Sequence, residues 1–456
     1  MSSIMLSWTI NVRLECRDEP LSPDSCAFGG SSWSSKASGR HGASFLRPPH
    51  PTRKRMSQQV FKTKADMVCP ILALPVEIGR QVIQNLDSIA ELHALSLSCK
   101  AFKEITRERI FAHITFTLPF PSKFCRATEW AQETRLRGLS KMVVQTKYIQ
   151  TLSVLPQSPV EPNEVTFPPN MQEILAEWMR RMTKLGKLVI ENVNLSEQLI
   201  LTILDITSQQ PLSLQLRRCP FSGPLLQMPS IPLHIPTLDI QGYSDSVYWD
   251  RPIDVYTPIE EQSIAVAGRL LVRAQLSITA LRVDWNSPLS LIEMLGGIFL
   301  PSLRAFHWNF LLYVDEQLST VMDGFLQRHP TIISISLAGE EYSHIPFSFP
   351  SLSLVSPSLP NLEIVKTTSN FIHQLVPARP VTSICVTCVE PSGFTTAVQS
   401  LSLSTATITK ASLIFSEGSE SWEHVVESLA EATPSLQELN LRTTSPSFGT
   451  DVRTHR

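Results

Sequence analysis

The residues of this chain that could do covalent or metal chemistry are few and scattered. Cys385 and Cys388 have the C-x-x-C spacing of zinc and redox sites. They fall in a stretch that reads as a strand, where residues three apart point to opposite faces, so one thiol would face out and the other in. No second cysteine pair and no run of histidines accompanies them. The eleven histidines are spread along the chain, and neither H-E-x-x-H nor G-x-S-x-G occurs. Glu260-Glu261 and Glu340-Glu341 read as exposed loop acids and not as a catalytic carboxylate pair. The expectation is a protein that is not an enzyme and holds no metal or cofactor. Its chemistry would be that of contact, through apolar surface, aromatic anchors and mixed charge.

The richest apolar run opens with Leu74-Pro75-Val76-Glu77-Ile78. It continues through Leu86, Leu92, Leu95, Phe102 and Ile110-Phe111, and closes on His113-Ile114-Thr115-Phe116. Pro75 suits a first helical position, where a missing N–H goes unnoticed, and Glu77 lies where the helix dipole favours an anion. Ile78, Val82 and Leu86 recur at four-residue steps with Ile83 beside them, while Arg80, Gln81 and Gln84 face water. A second helix is expected from Ile89 to about Leu97, capped by Ser88 or Asp87, and a third from about Lys100 to Ile110. Gly79 costs the first helix about 1 kcal/mol against alanine, so that helix leans on tertiary or partner contacts. Three short helices carry more apolar surface than so small a unit can hide, which implies a partner.

These residues resemble the F-box motif, in the fungal form that ends in a Phe-x-x-Ile stretch, here Phe102 to Ile105. The match spans residues 70–117. The resemblance implies docking onto the Skp-type adaptor of a cullin–RING ubiquitin ligase, with a downstream domain selecting a protein substrate. By matching position it implies Leu74, Pro75, Ile78, Ile83, Leu86 and Leu92 as adaptor-facing residues. The bland rival is a small helical cap on the domain that follows.

Beyond Phe116 a repeat emerges with the form P-x-L-x-x-L-x-L. It is clearest at Pro301-Ser-Leu303, Pro330-Thr-Ile332, Pro360-Asn-Leu362 and Pro434-Ser-Leu436. Related segments surround Leu152, Leu188, Leu214, Leu238, Leu281, Ile384 and Leu413, at intervals of roughly 24–30 residues, a period that suits leucine-rich repeats. Helices are expected between the strands at Glu173–Met179, Glu197–Ile206, Glu316–Leu326 and Trp422–Ala430. The fold class is therefore α/β: a curved leucine-rich-repeat solenoid over about 140–445, preceded by a small three-helix F-box and a disordered leader over 1–65, with 446–456 as a tail. The region resembles the repeat domain of many F-box proteins. A generic domain of alternating strands and helices is the rival.

Stacking consumes the leucines, so function would fall on the alternate residues. Those facing the inner side of the sheet include Lys187, Glu191, Gln215, Arg217, Asp239, Arg282, Asp284, His307, Asn309, Ser336, Lys366, Asn440 and Arg442. They are polar and of mixed sign, as a protein-binding face or any solvated face would be. The interval widens to 43 residues between Leu238 and Leu281, and the extra chain holds Tyr243, Tyr248, Trp249 and Tyr256. Tyr and Trp anchor binding interfaces, and insertions in repeat proteins map to loops. Tyr243, Tyr248, Trp249, Arg282 and His307 form the candidate substrate surface; a degenerate extra repeat that includes Ser263–Leu276 is the alternative.

Composition bounds the partners. With 39 basic and 41 acidic residues the 456-residue chain has no general field for nucleic acid or anionic membrane. Seventeen glycines against 34 prolines disfavour phosphate-cradling loops and favour rigid connections. Eight dispersed cysteines suit reduced thiols inside a cell, in cytoplasm or nucleus. No apolar stretch reaches the roughly 18 residues of a membrane span. The reading is a substrate receptor whose partners are the adaptor, through it the cullin, and a protein substrate. The alternative is an adaptor-binding or free repeat scaffold with no role in ubiquitylation.

Overall fold

Strand segments with leucine at every second position expose one apolar and one polar edge, and helices between them let successive strands run parallel. The computed structural model describes residues 10–11, 76–86, 88–98, 100–118, 133–134, 136–138, 143–156, 169–222, 231–242, 258–284, 294–310, 316–339, 358–389, 398–415, 422–443 and 452–455. In chain order its elements are β1 (Ile10–Asn11), α1 (Val76–Gln84), α2 (Ile89–Ser98), α3 (Lys100–Ile110), β2 (His113–Leu118), α4 (Val143–Thr146), β3 (Thr151–Pro156), α5 (Pro169–Arg180) and β4 (Lys187–Glu191). Then come β5 (Leu195–Ser196), α6 (Glu197–Gln209), β6 (Ser213–Arg217), β7 (Phe221–Ser222), β8 (Thr237–Gln241), α7 (Pro258–Ala274), β9 (Ala280–Asp284), β10 (Ala305–Phe310), α8 (Glu316–Arg328) and β11 (Ser334–Gly339). The rest are β12 (Ile364–Thr368), α9 (Ser369–Leu375), β13 (Ser383–Val389), β14 (Lys410–Phe415), α10 (Trp422–Ala432), β15 (Glu438–Thr443) and β16 (Val452–His455).

One sheet runs in the order β1-β2-β3-β4-β6-β8-β9-β10-β11-β12-β13-β14-β15-β16, and β5 pairs with β7 in a second, two-stranded sheet. From β2 to β15 every neighbour is parallel, twelve strands in sequence order, an arrangement compatible with a repeat solenoid. β16 closes one end antiparallel to β15, in the segment expected as a tail. β1 lies against β2 at the other end, and the rest of the expected leader lies outside the described residues.

Register stacks the apolar residues into ladders. Leu152, Leu188, Leu214, Leu238, Leu281, Phe306, Ile335 and Val365 follow one another across the sheet, all buried. A second ladder runs beside it through Val154, Ile190, Leu216, Ile240, Val283, Trp308 and Leu337. Leu175 and Met179 of α5, Ile203 of α6, Leu270 of α7 and Phe325 of α8 join the same core. Burying each such side chain is worth about 1.5–3 kcal/mol, and no repeat can do it without its neighbours.

The P-x-L segments explain the uniformity of the rim from which the strands start. Leu303, Ile332, Leu362 and Leu436 each close a tight turn, donating their N–H to Leu300, His329, Leu359 and Thr433 carbonyls. The next two N–H groups then share one carbonyl of the preceding repeat. Arg304 and Ala305 donate to Thr279, Ile333 and Ser334 to Arg304, and Glu363 and Ile364 to Ile333. Orphan backbone groups at the strand starts are satisfied by the repeat before.

The three helices form a separate small core of Ile83, Leu92, Phe102 and Ile110, with Leu86, Leu95 and Ile105 against it. Ser88 starts α2 by a capping box: its hydroxyl accepts from the Ala90 N–H at 3.1 Å, and Glu91 accepts from the Ser88 N–H at 3.3 Å. Asp87, the other expected cap, lies outside the described residues. Gly79 is buried against α3, where an added Cβ would sit 3.6 Å from Ile105 Cδ1. The helices end where the sheet begins. Ala112 offers its carbonyl to both Gln150 and Thr151, as each repeat does to the next, and Phe111 packs against both cores. His113–Phe116, expected to close the helical unit, thus belongs to β2 of the main sheet.

The expected helices all form, with longer ends: α5 reaches Arg180, α6 Gln209, α8 Arg328 and α10 Ala432. No strand is inserted in the sheet across the widened interval, since β8 pairs directly with β9, and α7 is the element that its described residues form.

Candidate interaction surfaces

Opposite the apolar ladders the sheet carries polar ones. The central row reads Gln215, Asp239, Arg282, His307, Ser336, Lys366, Cys385, Ser412 and Asn440 from β6 to β15. The next row contains Glu191, Arg217, Gln241, Asp284 and Asn309. The period of two placed these side chains correctly on one face.

Asp239 is the anchor of the row, only 3% exposed. Arg217 donates to its Oδ2 from Nη2 at 3.0 Å and from Nε at 3.3 Å, and Arg282 Nε stands 3.7 Å from Oδ1. Two guanidinium groups therefore share one carboxylate. His307 follows Arg282 in register, with Lys366 two strands beyond it. Burial, and then the charges of Arg282 and Lys366, hold the His307 imidazole down to about 4, so it is neutral at pH 7. Ser336, between His307 and Lys366, has a buried hydroxyl without a hydrogen-bond partner among the described residues. Cys385 is a free thiol on this face, the side chain of Cys388 lies outside the described ones, and no metal-binding group of His, Cys, Asp or Glu occurs among the described residues.

Of the candidate substrate residues, the structure brings Arg282 and His307 side by side. Tyr243, Tyr248 and Trp249 lie outside the described residues, in the chain between β8 and α7. That chain departs from the rim where the strands end. The long connections after β2, β3, β9, β11, β13 and β14 depart from the same rim, whereas turns of a few residues lead into the strands at the other.

The helical unit corrects part of the sequence reading. Ile83 and Leu92, expected to face an adaptor, are buried in the three-helix core and have no surface to offer. Each sits on the stripe that meets the neighbouring helix, which an amphipathic pattern alone cannot distinguish from a docking stripe. Leu86 is half-buried against that core, and Leu74 and Pro75 lie outside the described residues. Ile78 remains available at 40% exposed. Leu97 was not singled out and is 85% exposed; its only sequence signal is that it falls off the Leu92 and Leu95 stripe.

No protein-family model matches the chain. No curated protein matches it either. Forty-nine chains of solved structures do match. One is in the crystal structure of the Rad7 and Elc1 complex in yeast, 12% identical over 82% of this chain and 90% of that one, with a TM-score of 0.35. Among the described residues no helix is long and apolar enough to cross a membrane.

Proposed function

We propose that this chain is a non-catalytic substrate receptor of a Skp–cullin–F-box ubiquitin ligase. On this reading α1–α3, with Leu74 and Pro75 before them, dock a Skp-type adaptor, and the polar face of the repeats holds a protein substrate. The F-box resemblance of residues 70–117 motivates the adaptor. The observation that carries the reading is the division of surfaces: a small helical unit retains exposed Ile78 and Leu97, while the sheet presents one polar row from Gln215 to Lys366 and a shorter one from Glu191 to Asn309. Such a receptor contributes position and effective concentration to ubiquitin transfer, not a reacting group.

The test is a pull-down of the full chain with the host's Skp-type adaptor, wild type beside the Leu74→Ala/Pro75→Ala variant. Binding by the wild type alone, with the variant still folded by circular dichroism, supports the receptor. A folded wild type that captures no adaptor removes it. An adaptor complex that does not recruit cullin leaves a scaffold.

A further inference from the structure

We infer that the polar face between Arg282 and Lys366 binds an anionic side chain of an extended protein segment, with Arg282, Lys366 and the Ser336 hydroxyl as the groups that hold it. The inference rests on the receptor reading and names its substrate class.

Four adjacent strands, β9 to β12, place Arg282, His307, Ser336 and Lys366 in one register row. Strands lie about 4.8 Å apart, so the row spans about 14 Å, and the two long cationic side chains flank two shorter neutral ones. Lys366 is exposed and forms no ion pair among the described residues. Among the described residues Arg282 pairs at a distant 3.7 Å with a carboxylate that Arg217 already engages at 3.0 Å. Its side chain is 37% exposed. Asp284, one row nearer the rim, faces Asn309, which donates to it at 3.4 Å. Between the two cations the Ser336 hydroxyl lies buried without a partner among the described residues, in a residue 9% exposed. An anion there would gain two charge-assisted donors and a hydroxyl. Arg282 and Lys366 stand on either side of His307 in the row, and after burial their charges lower its pKa. A carboxylate and a phosphorylated side chain share the required chemistry.

The experiment is fluorescence anisotropy of the full chain with three labelled peptides of equal length, one rich in Glu and Asp, one phosphoserine-containing and one of neutral Ser and Gln. Lys366→Gln is the test variant, and Lys184→Gln is the control, since Lys184 pairs with Glu108 away from this row. At least one anionic peptide should bind tenfold or more tightly than the neutral one. Lys366→Gln should weaken it about tenfold and Lys184→Gln should not. The imidazole NMR signal of His307, assigned with His307→Gln, should titrate at higher pH in the complex. Preference between the anionic peptides tells phosphate from carboxylate. Equal binding of neutral and anionic peptides, no binding at all, or indifference to Lys366→Gln overturns the inference. So does a single-stranded oligonucleotide that binds as tightly as the best peptide. Adaptor capture with no anionic preference defeats this inference alone; anionic preference without adaptor capture defeats the ligase reading alone.

Discussion

Ile78 and Ile83 lie five residues apart on α1 and should fail in different ways. Ile83 is buried in the three-helix core, so Ile83→Ala removes packing and leaves a cavity, a change that costs about 2–5 kcal/mol. Among the described residues that core holds four buried hydrophobic side chains, so such a loss should unfold the unit. Ile78 is 40% exposed. Covering that remaining fraction of an isoleucine, worth about 1.5–3 kcal/mol when buried in full, contributes about 0.6–1.2 kcal/mol to docking. Ile78→Ala should therefore weaken adaptor binding roughly 3- to 8-fold with the helices intact. Isothermal titration with the adaptor and far-ultraviolet circular dichroism read both quantities. The reasoning is refuted if Ile78→Ala leaves affinity unchanged, or if Ile83→Ala stays folded and loses binding. The latter would mean that Ile83 meets the adaptor directly.

Three further substitutions probe the interior. Gly79→Ala should stabilise the helical unit by about 1 kcal/mol, because its Cβ would meet Ile105 at an ordinary van der Waals distance and the helix gains propensity; urea unfolding checks this. Asp239→Asn leaves two guanidinium groups without their shared carboxylate and should cost about 2–3 kcal/mol, below the 3–5 kcal/mol of a fully buried pair because both arginines reach water; chemical denaturation measures it. His307 and His329 are held below the ordinary histidine range, by burial first, and His329 Nε2 also accepts the Leu300 N–H at 2.8 Å. The unfolded chain then binds more protons, so stability is full above about pH 6.5 and falls as pH drops towards about 4, and His307→Gln should flatten part of that decline in urea midpoints.

The repeat was legible because its turn chemistry is local. Proline followed two residues later by Leu303, Ile332, Leu362 or Leu436 marks the turn into each strand, and the next apolar positions can only alternate across a pleated sheet. Helix ends were less legible because amphipathic patterns continue into residues such as Thr207 and Arg328 that form another turn. The fate of His113–Phe116 was hidden for a different reason. Its pattern fits the end of a helical unit and the first strand of a sheet equally, and only pairing with β3 decides. Ile83 and Leu92 show the same limit: one apolar stripe serves a neighbouring helix or a partner, and the sequence does not state which helices meet.

That hidden boundary bears on mechanism. Ala112 plays towards Gln150 and Thr151 the part that Gln150 plays towards Gly186 and Lys187, and that Arg304 plays towards Ile333 and Ser334. The end of α3 is therefore the first step of the repeat, and Phe111 fills space in both cores. Rotating α3 relative to β2 would leave two strand-start N–H groups without their carbonyl and open both cores around one aromatic ring, a cost of several kcal/mol. The exposed Lys184 and Glu108 pair, at 3.3 Å, adds little to this. A receptor that acts by effective concentration gains most when the span between its two sites is fixed, since a flexible joint spreads the bound substrate over a larger volume. The joint at Phe111 and Ala112 is built as such a fixed span, so the direction from the helical unit to the polar rows is a property of the fold and not of a linker.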